Sequence, residues 1–242
     1  MKKILLFLVL CLLPVSAHAY ESDLDGLLKD HVKPVTVNGF SYNGVDYDAW
    51  EKDDRHAKVR DAILSFDLSK LTTKNEKLAY WINAYNLLTI DLITREEERD
   101  TIKNLSKFFR SPWNSHTWTI AGEDLSLDDI EHKIIRPMGE PRIHFAINCA
   151  AKSCPDLRIE SYTADRLDAQ LDDQTRMTFK NTRKGYKKER GNVVRVSKVM
   201  RWFGEDFNNG DINSWLAPYF PNVVNDQTSV KFFSYDWSLN IQ

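Results

Sequence analysis

The stretch TKNEKLAYWINAYNLLTIDLIT, residues 73–94, decides how this chain is read. Thr73, Lys74, Asn75 and Glu76 have the spacing of a capping box, in which the Thr hydroxyl and the Glu carboxylate each satisfy a free backbone donor at the start of a helix. A helix is expected to begin there. Beyond it Leu78, Ala79, Trp81, Ile82, Ala84, Tyr85, Leu87, Leu88, Ile90, Leu92 and Ile93 wrap nearly the whole circumference instead of forming one stripe. A helix that is apolar all round is a buried one. Within it Tyr80, Asn83 and Asn86 recur every third residue and so share a side. Buried amides cost stability unless hydrogen-bonded. The expected use of Asn83 and Asn86 is to tie the backbone of a neighbouring loop, with ligand binding as the other use.

Working outward, residues 22–29 and 47–65 read as helices on the polar surface with a covering role, separated by Val35-Thr36-Val37 and a turn at Asn43-Gly44. Past the central helix, Phe108-Phe109 with Trp113 is expected to pack a loop against the core. Residues 118–120 and 123–125 flank a Gly122 turn as a short hairpin. Ser126 then opens a helix whose acidic first turn, Asp128 and Asp129, suits the positive end of the dipole; it should reach about Arg136 before Pro137 and Gly139 stop it. Residues 142–148 alternate like a strand. Thr163 can cap a helix over 164–179, residues 193–196 and 230–235 read as strands, and 200–207 and 211–219 as short helices. Long helices with a few separated strands give the fold class α+β: a single domain with a buried central helix, a small, mostly antiparallel sheet and surrounding helices.

The first residues carry Lys2 and Lys3, an apolar run over 4–13, Pro14 and the small-residue pattern Ala17-His18-Ala19, the layout of a cleavable secretory signal. Residues 1–19 are read as that signal and 20–242 as one globular domain, periplasmic or secreted. The apolar run is far shorter than the roughly 20 residues that span a bilayer, so no stable membrane anchor is expected. Loss of Lys2 and Lys3 makes the formal net charge of −2 more negative. No aromatic ladder interleaved with basic residues points to nucleic acid. The cluster Arg183, Lys184, Lys187, Lys188 and Arg190 reads as a solvated loop.

Signal removal discards Cys11 and leaves Cys149 and Cys154, an even pair that in an oxidising compartment is by default a disulfide. Strand alternation would place His144 and Asn148 on one face, with Cys149 on the apolar one. Pro155 suits a first helical position, so Cys154 is expected to be an N-cap whose thiolate the helix dipole would stabilise. His144 would then be base or ion-pair partner, and thiol-based acyl transfer would follow. A zinc site of His144, Cys149 and Cys154 ranks below both the disulfide and the free thiol, because zinc ligands more often come in closely spaced pairs. No metal or other cofactor is expected. His132 is read as a boundary side chain.

The blocks LAYWINAYN at 78–86, LSLDDIEH at 125–132, PRIHFAINCAAKSCP at 141–155, and Trp202-Phe203 before Asp206-Phe207 resemble the domain of unknown function numbered 547, over about residues 75–207. That resemblance implies relatives and no established reaction. A buried helix followed by a histidine-bearing strand is also similar in plan to papain-like and transglutaminase-like thiol enzymes, though these place a cysteine at the start of the central helix and this helix has none. The leading expectation is a thiol-dependent amide hydrolase or acyl transferase with Cys154 or Cys149 as nucleophile and His144 as base. The other is a non-catalytic domain with a structural disulfide, binding a small or peptide-like ligand through Asn83, Arg142 and His144. Whether protein partners exist is open.

Overall fold

The structure, a computed structural model, describes residues 19–107 and 109–242; the expected export segment therefore lies outside the described residues apart from Ala19. Helix α1 (Ala19–His31) leads into an antiparallel hairpin of β1 (Val32–Val37) and β2 (Phe40–Val45), with Val32 opposite Val45. The turn is Asn38-Gly39, both at positive φ (51° and 72°), as a two-residue hairpin loop requires. Asn43-Gly44 lies inside β2 instead, where a Cβ on Gly44 would come within 2.7 Å of Val35 Cγ2.

The single helix expected over 47–65 is two, α2 (Tyr47–Glu51) and α3 (Asp54–Leu64). Asp46 accepts from Ala49 N–H and Asp53 from Arg55 N–H, so a second cap restarts the chain just after the first helix ends. Nor do these helices merely cover the surface, since Leu24, Leu27, Trp50, Val59 and Ile63 are buried. Helix α4 (Lys74–Arg95) follows the expectation closely. Thr73 Oγ1 accepts from Glu76 N–H at 3.2 Å, Glu76 accepts from Thr73 N–H at 2.8 Å, and every residue from 78 to 94 is buried.

After α5 (Pro112–Ser115), the hairpin of β3 (Trp118–Ile120) and β4 (Glu123–Leu125) turns at Ala121-Gly122 as expected. Phe108 lies outside the described residues, Phe109 is fully exposed, and Trp113 packs against Trp237 with ring centroids 5.6 Å apart. Ser126 caps α6 (Leu127–Asp129) in a reciprocal capping box with Asp129. The helix then widens to π geometry over Ile130–Ile135 and tightens to a 3-10 turn over Arg136–Met138, ending at Gly139 with φ 66°. Such widened turns frequently sit at functional sites.

The strand expected over 142–148 is absent. Residues Ile143–Ala146 form one helical turn, α7, closed by Ile147 N–H donating to the Ile143 carbonyl at 3.0 Å. Residues 143–148 are all buried, His144 and Asn148 included, so the alternation marked no solvent face. Helix α8 (Leu167–Lys180) begins later than a Thr163 cap would place it, because the Thr163 hydroxyl is taken by Asp165 and its N–H by Gln170.

The last strands, β5 (Tyr186–Lys188), β6 (Val193–Val196) and β7 (Ser229–Phe232), form one sheet in that order, β5/β6 antiparallel and β6/β7 parallel; between β6 and β7 lie α9 (Val199–Trp202) and α10 (Ile212–Leu216). The protein is α+β. One apolar cluster surrounds α4, and a second joins α8 to the last sheet through Phe179, Val196, Met200, Phe207 and Trp215. Helix α7 sends Ile143 and Ala146 into the first and Phe145 into the second, so it stands on the seam between them. Among the described residues no helix is long and apolar enough to cross a membrane.

Candidate functional site

The loop after α7 is held from three directions. From α4, the Asn86 side chain donates to the Ala146 carbonyl (3.0 Å) and accepts from Asn148 N–H (2.8 Å). Asn148 in turn donates to the Pro155 carbonyl and accepts from Ala150 N–H, which fixes Ala150 in a left-handed conformation, φ 60°, that is strained for a residue with a Cβ. From the C-terminal segment, the Ser238 and Asp236 carbonyls accept from Lys152 and Ser153 N–H. From the loop between α8 and β5, the buried Lys184 ammonium donates to the carbonyls of Lys152 and Cys154 and to Asp156 Oδ1. The reading of the basic cluster as wholly solvated is corrected at Lys184, which is 2% exposed.

This clamping brings the two sulfurs together. Cys149 and Cys154 are free thiols with Sγ atoms 2.8 Å apart. Cys154 Sγ also accepts from Cys149 N–H at 3.0 Å, and Cys149 Sγ lies 2.9 Å from the Tyr235 hydroxyl. Cys154 is buried and Cys149 half-buried, so Cys149 does not belong to the apolar face expected of it. No helix starts at Pro155, and Cys154 is not an N-cap. Its thiol is nonetheless lowered: burial opposes ionisation, but hydrogen bonds from the Cys149 thiol and backbone, aided by the Lys184 charge, outweigh it. Cys149 is pushed up, first by burial and then by donating to Cys154. The pair therefore gives up one proton readily and holds the other.

His144 sits on α7 with its ring stacked on Phe203, centroids 4.1 Å apart, and Nε2 2.7 Å from Asp206 Oδ2. Arg136 grips both oxygens of Asp206 and, with the His144 bond, holds that carboxyl at about 2 against a modest burial cost. Burial lowers His144 to about 4, more than Asp206 raises it. A neutral imidazole facing a carboxylate must place its proton on Nε2, which leaves Nδ1 as an acceptor. That Nδ1 is buried and has no hydrogen-bond partner among the described residues. No hydrogen bond joins His144 to either sulfur.

A cavity of about 180 Å³ collects these groups: both cysteines and His144 line it, with Glu131 and His132 from the π turn, Tyr85 from α4, and the rings of Trp113, Trp202, Phe203, Tyr235 and Trp237. Glu131 is buried and bonded by the Tyr85 hydroxyl at 3.2 Å; burial lifts its carboxyl to about 7. His132, read from sequence as a boundary residue, is on this wall with its ring centroid 6.1 Å from that of Phe203. Glu131, Asp206 and Tyr235 were not singled out from sequence. Glu131 and Asp206 do fall within the blocks quoted above, whereas nothing local marks Tyr235.

The remaining sequence candidates lie elsewhere. Tyr80 donates to the Ile63 carbonyl, Asn83 bonds both the N–H and the carbonyl of Tyr162, and Arg142 is paired with Glu140 and Asp168. Asn83 and Asn86 thus tie neighbouring backbone, Asn86 that of the cysteine loop itself. His144, Cys149 and Cys154 do not converge as a ligand set, and no group of three or more His, Cys, Asp or Glu among the described residues is placed to hold a metal ion.

Fold and site define an α+β domain with a paired-thiol cavity at the seam of its two apolar clusters. Residues 68–177 match the family described as "Protein of unknown function, DUF547". The match takes in α4, the capped helix and the cysteine loop and ends before the segment that carries Asp206. Neither curated proteins nor solved structures yield a match, so the likeness in plan to papain-like and transglutaminase-like enzymes gains no support.

Proposed function

We propose that the protein is an exported, periplasmic or secreted, thiol-dependent enzyme that hydrolyses an amide or transfers an acyl group, with Cys149 as nucleophile. The observation that supports this most is that a pair of reduced sulfurs and a neutral imidazole with a free acceptor nitrogen line one cavity. Starting from the singly ionised pair, the Cys149 proton passes to Cys154 across the 2.8 Å contact. The Cys149 thiolate, with the Tyr235 hydroxyl as donor, attacks the acyl carbon. The amine leaves with the proton now on Cys154, and a thioester remains on Cys149. Water then attacks the thioester while His144 Nδ1 takes its proton; the C–S bond breaks and that proton returns to Cys149. Asp206 supports the imidazolium formed in between.

The same sulfur separation favours a second reading, a ligand-binding domain in which an oxidising compartment closes the pair into a structural disulfide. A single experiment separates them. The mature protein, purified without reductant, is treated with p-nitrophenyl acetate and its mass is followed. The enzyme reading expects turnover by the wild type and an acetyl group trapped on Cys149 in His144→Ala, where deacylation is slowed. No acylation and no alkylation by iodoacetamide until reductant is added would favour the binding domain.

A further inference from the structure

The cavity wall carries acidic side chains and no strongly basic ones. Its lining includes the carboxylates Asp128 and Glu131 and the ionisable sulfurs, and neither lysine nor arginine. Cations close by stand outside it and are engaged: Arg136 with Asp206, Lys184 with Asp156 and the Cys154 carbonyl, and Lys103 with its ammonium 4.3 Å from the Trp237 ring centroid. Four of the lining rings touch one another: Trp113 and Trp237 at 5.6 Å between centroids, Trp202 and Trp237 at 5.5 Å, Trp202 and Tyr235 at 4.7 Å, Tyr235 and Trp237 at 4.5 Å. Trp202 is 43% exposed, unusual for so large a ring, and the buried Glu131 carboxyl, bonded by Tyr85, makes no ion pair among the described residues, with Arg136 acting on it only at a distance. An anionic ligand would meet Asp128, Glu131 and the sulfur pair with no lysine or arginine on the wall to offset them. Aromatic faces with a carboxylate beside them attract a cation.

We propose that the cavity takes the cationic end of its ligand, a quaternary or primary ammonium group, against Trp113, Trp202, Tyr235 and Trp237, with Glu131 and Asp128 as counter-charges. This names the substrate class of the thiol site and, in calling the ligand a substrate, rests on the reading above. The enzyme would act on an acyl compound whose amine-bearing part sits beside the reacting carbon.

Tryptophan fluorescence titrated with choline, and with the same molecule carrying carbon in place of the charged nitrogen, tests it. Choline is expected to bind about tenfold more tightly than its neutral isostere. That preference should collapse in Trp202→Leu and shrink several-fold in Glu131→Gln. Asp128→Asn, at the half-exposed rim, provides a milder variant should Glu131→Gln loosen the fold, and a reduced preference there has the same meaning. Equal binding of the two probes by the wild type, or a preference untouched by Trp202→Leu, Glu131→Gln and Asp128→Asn, overturns the inference. A choline preference in a protein that no ester acylates leaves the cation site standing and removes the thiol chemistry alone.

Discussion

Helix α4 serves two neighbourhoods that obey opposite rules. On one, Asn83 and Asn86 each spend both ends of a buried amide on loop backbone, and those bonds are 2.8–3.0 Å long. On the other, Tyr85 reaches a Glu131 whose burial lifts its carboxyl to about 7, in a cavity where His144 Nδ1 has no partner among the described residues and two thiols lie 2.8 Å apart. The amide side is satisfied and therefore rigid. The cavity side holds polar groups short of partners, a state that destabilises a fold and that reactive sites commonly show. The first makes the second tolerable, since the loop that carries the sulfurs is fastened by Asn86.

Removing the Asn86 clasp should disturb both sides of α4 at once. Asn86→Ala leaves the Ala146 carbonyl and Asn148 N–H buried without partners and should cost about 4 kcal/mol in urea denaturation, with thiol reactivity changed as well. Asn83→Ala should cost a similar amount and leave the thiols as they were, because its partners belong to Tyr162. Equal thiol behaviour in the two variants would mean that the clasp does not position the sulfurs.

A smaller effect sharpens the cavity side. Glu131 has its folded pKa raised from 4.5 to about 7, so its contribution is fully present below the unfolded value and is lost as pH rises through 7. His144 has its folded pKa lowered from 6.5 to about 4, so its contribution is present above the unfolded value and is lost as pH falls toward 4. Each amounts to roughly 3 kcal/mol, and between pH 4.5 and 6.5 the two slopes oppose each other. Glu131→Gln should expose a stability that climbs with pH across that window, and His144→Asn one that falls. Parallel urea midpoints against pH for both variants and the wild type would contradict the burial of these two groups.

The framework was the legible part of this sequence. Thr73 and Ser126 announce their helices because capping is local chemistry, and α4 shows its burial because no arc of it is polar enough to face water. The use of Asn83 and Asn86 as ties followed from the same burial. The site was less legible, for identifiable reasons. Residues 142–148 alternate, but with both sides buried the alternation says nothing about a strand, and one helical turn satisfies the same residues. Asp206 meets His144 across 62 positions and Lys184 meets the cysteine loop across about 30, and charges in a polar run give no sign of which one will be taken inside. Glu131 follows directly on the acidic first turn formed by Asp128 and Asp129, and in that run of charge nothing marks it as the carboxylate that is taken inside.

The most direct measurement is the rate of alkylation of the reduced mature protein by iodoacetamide as a function of pH, with the modified residue located by mass spectrometry. One proton shared between two sulfurs predicts a single fast modification at Cys149 with a midpoint below the roughly 8.5 of an ordinary cysteine, moving upward in Cys154→Ser. A midpoint at or above that of a free thiol, unmoved by Cys154→Ser, would contradict it.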